Sequence, residues 1–149
     1  MNLLVKWWNL PAADQRLVVK MAIVLGMIRV GLKIFSFNKL KNILESTSRS
    51  SPDLQPVDGE YQQKVVWAAT SVGRRVLSDQ PCLAQALAVQ LFFKRKNIPA
   101  KLYIGVAKEN DDQLIAHAWV ESDGQVVIGG SQQDLNRYTR LPAIDGKQI

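Results

Sequence analysis

One cysteine and one histidine stand at positions in this chain that suit a nucleophile and its base. Cys82 follows Ser78-Asp79-Gln80-Pro81, and a capping residue followed by proline is typical of a helix N-terminus. The dipole and free N–H groups at such a terminus stabilise a thiolate and can also bind an oxyanion. A lone cysteine in an apolar helix is more often a small core residue, so its position alone leaves both interpretations open.

The single histidine changes that balance. His117 lies in a predicted strand, Ile115 to Glu121, where alternation puts it on the same face as Trp119. A lone histidine is usually structural. However, a cysteine at a helix N-terminus followed by a histidine on a later strand is the chain order of papain-like folds. The sequence therefore predicts a Cys82–His117 pair, with the thiolate as nucleophile and the imidazole as base and acid.

Helices come first among the segments that must position this pair. Pro11 opens a pattern of apolar residues at three- and four-residue spacing that predicts a helix to about Ser36. The pattern also predicts a short helix in the basic segment from Asn38 to Glu45. It predicts a longer, amphipathic helix from Tyr61 to Leu77. The helix that begins at Cys82 is apolar nearly all round, which predicts that it is buried.

Strands follow the cysteine helix. Alternation predicts strands over Lys101 to Ala107, Leu114 to Glu121 and Gln125 to Ile128, with a tight hairpin turn at Ser122-Asp123-Gly124. A fourth short strand is expected within Leu135 to Leu141. The pattern predicts an α+β fold in which the buried cysteine helix packs on an antiparallel sheet.

The Ser- and Pro-rich stretch at 46–58 predicts a linker. It would separate an N-terminal helical portion, residues 1–45, from a catalytic core, residues 59–149. A chain of 149 residues is one domain's worth of sequence and can form a core without disulfides.

The amino-acid composition bears on the cellular compartment that we expect. With one cysteine no internal disulfide can form, so we expect a cytoplasmic protein. The apolar stretch from Val18 to Phe37 is interrupted by Lys20, Arg29 and Lys33, and membrane association is not expected.

The net charge of +6 is concentrated at one end. Residues 1–50 hold eight Lys or Arg and two Asp or Glu, whereas residues 51–149 hold eleven of each. Such an element is either a solvated helix face or a surface that attracts an acidic peptide, a membrane or nucleic acid. No zinc-ligand spacing, phosphate loop or nucleic-acid motif accompanies it, so nucleic acid is not an expected partner.

Several short strings carry a family resemblance. They are Cys82-Leu83, Gly105-Val106 and Ala116-His117-Ala118-Trp119-Val120-Glu121, followed by Asp123-Gly124. On these strings the segment 81–130 resembles the stand-alone leader peptidase of lasso-peptide biosynthesis, a transglutaminase-like cysteine protease. Residues Leu10 to Asp14 also resemble that family, so the likeness covers nearly the whole chain.

The resemblance implies a papain/transglutaminase-like core and a Cys–His–Asp triad. The family's acid position falls on Gly129 in this sequence, and the next carboxylate, Asp134, is the candidate third member. A backbone carbonyl or a glutamine side chain is the alternative group to orient the imidazole. Gln80 is a candidate oxyanion-hole residue, and a capping-turn role is its alternative.

The function implied is removal of the leader from a ribosomally synthesised lasso-peptide precursor, through a Cys82 thioester and without cofactor or metal. The implied partners are the precursor peptide, a separate leader-binding recognition protein and an ATP-dependent macrolactam synthetase. Two alternatives remain: an acyl transferase of the transglutaminase type, and a non-catalytic peptide-binding module, for which Gly129 is the best support.

Overall fold

A computed structural model describes residues 8–47, 59–76 and 81–141 of the chain. The helices in these ranges are α1 (Ala12–Ile34), α2 (Phe37–Thr47), α3 (Gly59–Val76), α4 (Pro81–Arg95) and α5 (Gln132–Leu135). The strands are β1 (Lys101–Lys108), β2 (Leu114–Ser122), β3 (Gln125–Ile128) and β4 (Thr139–Arg140). The expected α+β fold, with helices first and then an antiparallel sheet, is confirmed.

Helix α1 forms where its periodicity predicts. It begins after Pro11, and the residues on one side of it are buried: Met21, Val24, Leu25, Ile28 and Gly31. It ends at Ile34 because Phe35 adopts an extended conformation. Neither α1 nor any other helix in the described ranges is long and apolar enough to cross a membrane.

Helix α4 is the centre of the protein, as its apolar sequence predicts. Every residue from Ala86 to Phe93 is buried, and the helix packs against α1, α3 and the first three strands. Lys94 and Arg95 occupy its last turn, where they interact favourably with the negative end of the helix dipole. Packing on several sides fixes the direction of α4 and so the place of its N-terminus.

The four strands form an antiparallel sheet in the order β3-β2-β1-β4. The hairpin between β2 and β3 turns at Asp123 and Gly124, whose φ values of 51° and 77° are those of a mirror-image turn that matches strand twist. The expected strand within Leu135 to Leu141 is present but short, because helix α5 includes Leu135 and only Thr139–Arg140 pairs with β1.

The two faces of the sheet have different neighbours. Ala118 and Val120 of β2 belong to the buried cluster around α4, and Leu102 and Ile104 of β1 pack against it. Side chains alternate along a strand, so His117 and Trp119 project from the opposite face.

The predicted N-terminal portion shares its core with the rest of the protein. Leu25 of α1 and Leu40 of α2 lie in the same buried cluster as Val65 of α3 and Phe93 of α4. Helix α2 extends to Thr47, so the first two residues of the predicted linker at 46–58 are helical, and its remaining residues lie outside the described ranges. The division of the chain into a helical portion, residues 1–45, and a catalytic core, residues 59–149, stays a prediction.

Candidate active site

Cys82 lies where the sequence predicts, in the first turn of the buried helix α4. Its side chain is partly buried and lines a pocket of about 880 Å³. The first backbone N–H groups of a helix have no partner within it, so this end of α4 presents donors and the positive end of the helix dipole. These groups can stabilise an oxyanion that forms beside the sulfur atom.

His117 lines the same pocket, although it comes from strand β2. It lies directly opposite Gly105 of the central strand β1. The structure therefore brings the sequence-predicted nucleophile and base, Cys82 and His117, into one pocket.

The pocket lies between helix α3, the start of α4 and one end of the sheet. Its walls are mostly apolar, from Val66, Leu114, Ile115, Val127 and Ile128. Arg74 of α3 supplies a cation, and no carboxylate is among the described residues that line the pocket. The pocket thus accepts apolar side chains and favours a negative charge near Arg74.

One edge of β2 borders the pocket. Strand β2 pairs with β1 along its length but with β3 over only three residues, so its first half has no second partner strand among the described residues. The Leu141 N–H donates to the Ile104 carbonyl at 2.8 Å, which means that the next residue, Gly105, directs its backbone groups to β2. The backbone N–H and C=O of His117, which lies opposite Gly105, therefore point to β1. Because these groups alternate in direction along a strand, the N–H and C=O of Ala116 point to the free edge of β2.

The imidazole of His117 has a backbone partner. Its Nε2 atom is hydrogen-bonded to the carbonyl oxygen of Gly129, immediately after β3. A carbonyl can only accept, so Nε2 donates, and in the neutral ring Nδ1 is then the basic nitrogen. Of the orienting groups that the sequence left open, the structure gives His117 a backbone carbonyl.

Asp134, the predicted third member of the triad, has a different partner. It is in helix α5, where Ser131 is the N-cap and the two residues form a reciprocal capping box. The Ser131 hydroxyl accepts from the Asp134 N–H at 3.2 Å and donates to the carboxylate. The Ser131 hydroxyl and the Ser131 N–H both donate to the carboxylate, and these two hydrogen bonds hold the pKa of Asp134 below its usual value. The described structure does not bring Asp134 together with His117, and a triad role for it stays a prediction.

The remaining polar candidates have separate outcomes. Gln80, the oxyanion-hole candidate, lies outside the described residues. Asp123 is in the hairpin turn, as predicted. Glu121 accepts hydrogen bonds from Trp119 Nε1 at 3.2 Å and from Arg140 at 2.8 Å, so its carboxylate is engaged away from His117.

Two aromatic rings pack along the imidazole. Tyr138 stacks on His117 with ring centroids 5.4 Å apart, and Trp119 stacks on it at 6.5 Å. Gly105 makes room for this layer, because a Cβ at that position would lie 2.9 Å from both Trp119 and Tyr138. Tyr138 was not predicted as a site residue, because the sequence shows only an aromatic residue in the segment expected to rejoin the sheet.

Gln85 is a second pocket residue that the sequence pattern did not predict. It lies one turn after Cys82 on α4 and lines the pocket. Its side chain packs against Gly73 of α3, where an added Cβ would overlap the Gln85 amide. Gly73 lowers helix propensity, and the side chain of Gln85 occupies the space that a Cβ at this position would take.

A thiol at a helix N-terminus, an imidazole in the same pocket and an orienting acceptor on that imidazole are the components of acyl-transfer chemistry. A family model described as the transglutaminase-like superfamily matches residues 24–143. The chain belongs to the transglutaminase-like superfamily. The match starts within α1 and continues past β4, so it includes both halves of the pocket. Searches of curated proteins and of solved structures gave no match.

Membership of this superfamily indicates an enzyme of the cysteine protease or acyltransferase type. These two activities share a thioester intermediate and differ in whether water or an amine accepts the acyl group. The choice between them therefore depends on the acceptor that reaches the thioester.

Proposed function

We propose that this protein is a cysteine peptidase that removes the leader from a lasso-peptide precursor. The observation that carries the proposal is the shared pocket of Cys82 and His117, which come from a helix and a later strand, in the chain order of papain-like folds. The string from Ala116 to Glu121 favours the leader peptidases within it. The lone cysteine suits the reducing cytoplasm, where we place the reaction.

The proposed reaction begins when Nδ1 of His117 takes the proton of the Cys82 thiol, and the thiolate then attacks the scissile carbonyl. The N–H groups at the start of α4 stabilise the oxyanion, and His117 protonates the leaving amine through Nδ1. Water, deprotonated by the same imidazole, then hydrolyses the thioester and releases the new carboxyl terminus. Sulfur, the peptide carbonyl, water and one shuttled proton account for every bond made and broken, so no cofactor enters the reaction.

The free edge of β2 supports a peptide as the substrate. Ala116 presents its backbone N–H and C=O at this edge, beside His117. An extended peptide can pair with an open strand edge through main-chain hydrogen bonds, while pockets select alternate side chains. A leader–core junction bound in this way would pass its scissile bond close to both proposed catalytic residues.

The Gly129 carbonyl shapes the rate that we expect. It fixes the tautomer and ring orientation of His117, as a triad acid does. Unlike a carboxylate, it carries no negative charge, so it stabilises the imidazolium less. We therefore propose a slow peptidase that depends on its partners, a leader-binding recognition protein and the macrolactam synthetase, to deliver and consume peptide.

The superfamily match supports an acyltransferase as the second candidate. The same thioester would then be taken by an amine. A non-catalytic peptide-binding module is the third candidate, and the absence of a carboxylate on His117 in the described structure is its support.

One experiment separates the three candidates. The protein is incubated with a lasso-peptide precursor, with and without a leader-binding recognition protein, and the products are analysed by mass spectrometry. Hydrolysis gives two fragments whose summed mass exceeds the precursor by one water, and the rate should rise with the leader-binding protein. A product joined to an amine would establish transfer instead, and an intact precursor in every mixture would leave only the binding module.

A further inference from the structure

Helix α1 has a second apolar side, which faces away from the core. Five large side chains on it are between 45% and 68% exposed: Val19, Ile23, Met27, Val30 and Ile34. We call these five residues the outward seam. Large exposed apolar patches on a protein mark interaction sites, so this side of α1 is a candidate for one.

The spacing of the outward seam suits one kind of occupant. From Ile23 the seam continues at Met27, Val30 and Ile34, the alternating four- and three-residue steps of a coiled-coil contact. At 1.5 Å per residue the seam is about 22 Å long, and on a helical projection it is narrower than the wide apolar face of a helix that lies in a membrane. A single α-helix would cover it.

Basic residues on the same side of α1 favour a partner helix that carries acidic residues. Arg16 and Lys20 extend the seam toward the N-terminus at the same spacing, and both are exposed, as is Lys33 at the other end. Asp14, the acidic residue of α1, is on another side of the helix and forms an ion pair with Lys64 of α3 at 3.1 Å. The outward side of α1 is therefore apolar and basic, without a carboxylate of its own.

We propose that the outward seam of α1 binds an amphipathic helix of a partner protein, with apolar residues at heptad spacing and acidic residues that face Arg16 and Lys20. A second copy of this chain would bring the same basic side chains into its own interface, which like-charge repulsion disfavours. The net charge of +6, with all of the excess in residues 1–50, attracts the same acidic partner over a longer range.

The seam is separate from the chemistry proposed above. No residue of α1 is among those that line the pocket of Cys82 and His117. The interaction can therefore be measured with a Cys82→Ala protein, and its success or failure does not depend on peptidase activity.

The test uses a fluorescent synthetic helix of about three heptads, with leucine at a and d and glutamate at e and g, against the full-length Cys82→Ala protein. Its matched probe has lysine in place of every glutamate. Anisotropy should show saturable binding of the acidic probe and binding at least about tenfold weaker for the basic one.

Ile23→Gln with Met27→Gln should weaken binding of the acidic probe about tenfold or more, as should Arg16→Glu with Lys20→Glu. Leu141→Gln, at an exposed apolar residue outside the seam, should leave it unchanged.

Four results would overturn the proposal. The first is no saturable binding of the acidic probe, as expected if another segment of the chain covers the seam. The second is binding that the seam substitutions leave unaltered. The third is sedimentation of the protein as a dimer that Ile23→Gln with Met27→Gln dissociates, which would make a second copy the occupant. The fourth is co-flotation with anionic vesicles that the same pair of substitutions abolishes, which would make it a membrane surface.

Discussion

The Nε2 atom of His117 is hydrogen-bonded to the main-chain carbonyl of Gly129, the residue on which the sequence resemblance places the acid of a triad. A neutral main-chain group thus occupies the place of an acidic side chain. Gly129 has a φ of 108°, a conformation that residues other than glycine rarely adopt. The carbonyl reaches the imidazole through a backbone path that favours glycine at this position.

Replacing Gly129 by aspartate therefore should not restore a triad. A Cβ at this position would lie 2.8 Å from both the Ala118 carbonyl oxygen and the Trp119 Cα, which are backbone atoms that cannot move aside cheaply. The positive φ adds about 1–3 kcal/mol of strain. We expect Gly129→Asp to lower the unfolding midpoint and the turnover together, as measured by thermal melts and precursor cleavage.

Two variants separate the causes of that loss. Gly129→Ala has the same clash without a carboxylate and should be about as destabilised as Gly129→Asp. Gly124→Ala also has a positive φ, 77°, but nothing lies within 4 Å of its Cβ, so it should show the strain alone. A well-folded Gly129→Asp protein with faster turnover would mean that the local backbone can rearrange and that the carboxylate does reach His117.

Asp134 gives the complementary test of the third triad member. Its carboxylate is hydrogen-bonded to Ser131 in the capping box of α5, so Asp134→Asn should leave turnover within about twofold of wild type. Loss of a triad acid would instead cost orders of magnitude in rate. A hundredfold fall in turnover, with the fold intact by circular dichroism, would return Asp134 to the site.

The stability effect of Asp134 should depend on pH with a definite sign. Hydrogen bonds from Ser131 hold the folded-state pKa of Asp134 below its usual value of 3.8. A carboxyl with a lowered folded pKa contributes stability above the unfolded pKa, and that contribution is lost as pH falls through the folded one. Wild type should therefore melt above Asp134→Asn at neutral pH, and the difference should shrink below about pH 4. A difference that is constant down to strongly acidic pH would contradict this origin.

The elements that position the site were predictable because they depend on local periodicity. The helix from Pro81, the strand that carries His117 and the turn at Asp123-Gly124 follow from apolar spacing, capping residues and turn chemistry. The pairing of Cys82 with His117 in one pocket was predictable from chain order in a recognised fold, although not from the spacing itself.

The orientation of His117 was not predictable from local patterns. The group on Nε2 is a main-chain atom, and any residue has a carbonyl, so side-chain type carries no signal for it. Likewise, Tyr138 reaches the imidazole because β4 pairs with β1. That pairing is a long-range contact, and a two-residue strand has too weak a sequence pattern to predict it. Asp134 fits a local capping box with Ser131, and that local signal points away from a triad role.

The nucleophile prediction is the most direct. Cys82→Ala removes the only thiol in the chain, so turnover should fall by about a thousandfold or more if Cys82 forms the thioester. Iodoacetamide at neutral pH should inactivate the wild-type protein. The rate of inactivation should equal the rate at which a single alkylation appears by mass spectrometry. Full cleavage by Cys82→Ala would exclude a thioester mechanism.

Gly105 should matter for activity through the aromatic layer beside His117. A Cβ there would press on Trp119 and Tyr138 at 2.9 Å, so Gly105→Ala should displace the rings that stack on the imidazole. We expect turnover to fall about ten- to a hundredfold with little change in KM, because misplacing a catalytic group lowers the chemical step. Gly59→Ala, which has nothing within 4 Å of its Cβ, is the matched control and should behave as wild type. Equal losses for both variants would assign the effect to general destabilisation.

Tyr138 separates stacking from hydrogen bonding in the same layer. Its ring lies 5.4 Å from the His117 ring, while its hydroxyl accepts a hydrogen bond from Arg137 at 2.9 Å on the exposed side. Tyr138→Phe keeps the ring and should leave kcat unchanged. Tyr138→Ala removes a stacked ring worth about 0.5–1.5 kcal/mol beyond its buried area, and frees the imidazole to leave the Gly129 carbonyl. We expect kcat to fall about tenfold in Tyr138→Ala and KM to change little.

The NMR signal of the His117 Nε2 proton should also broaden in Tyr138→Ala, because that proton exchanges with solvent once the hydrogen bond opens. If Tyr138→Phe loses as much activity as Tyr138→Ala, the hydroxyl rather than the ring positions the imidazole.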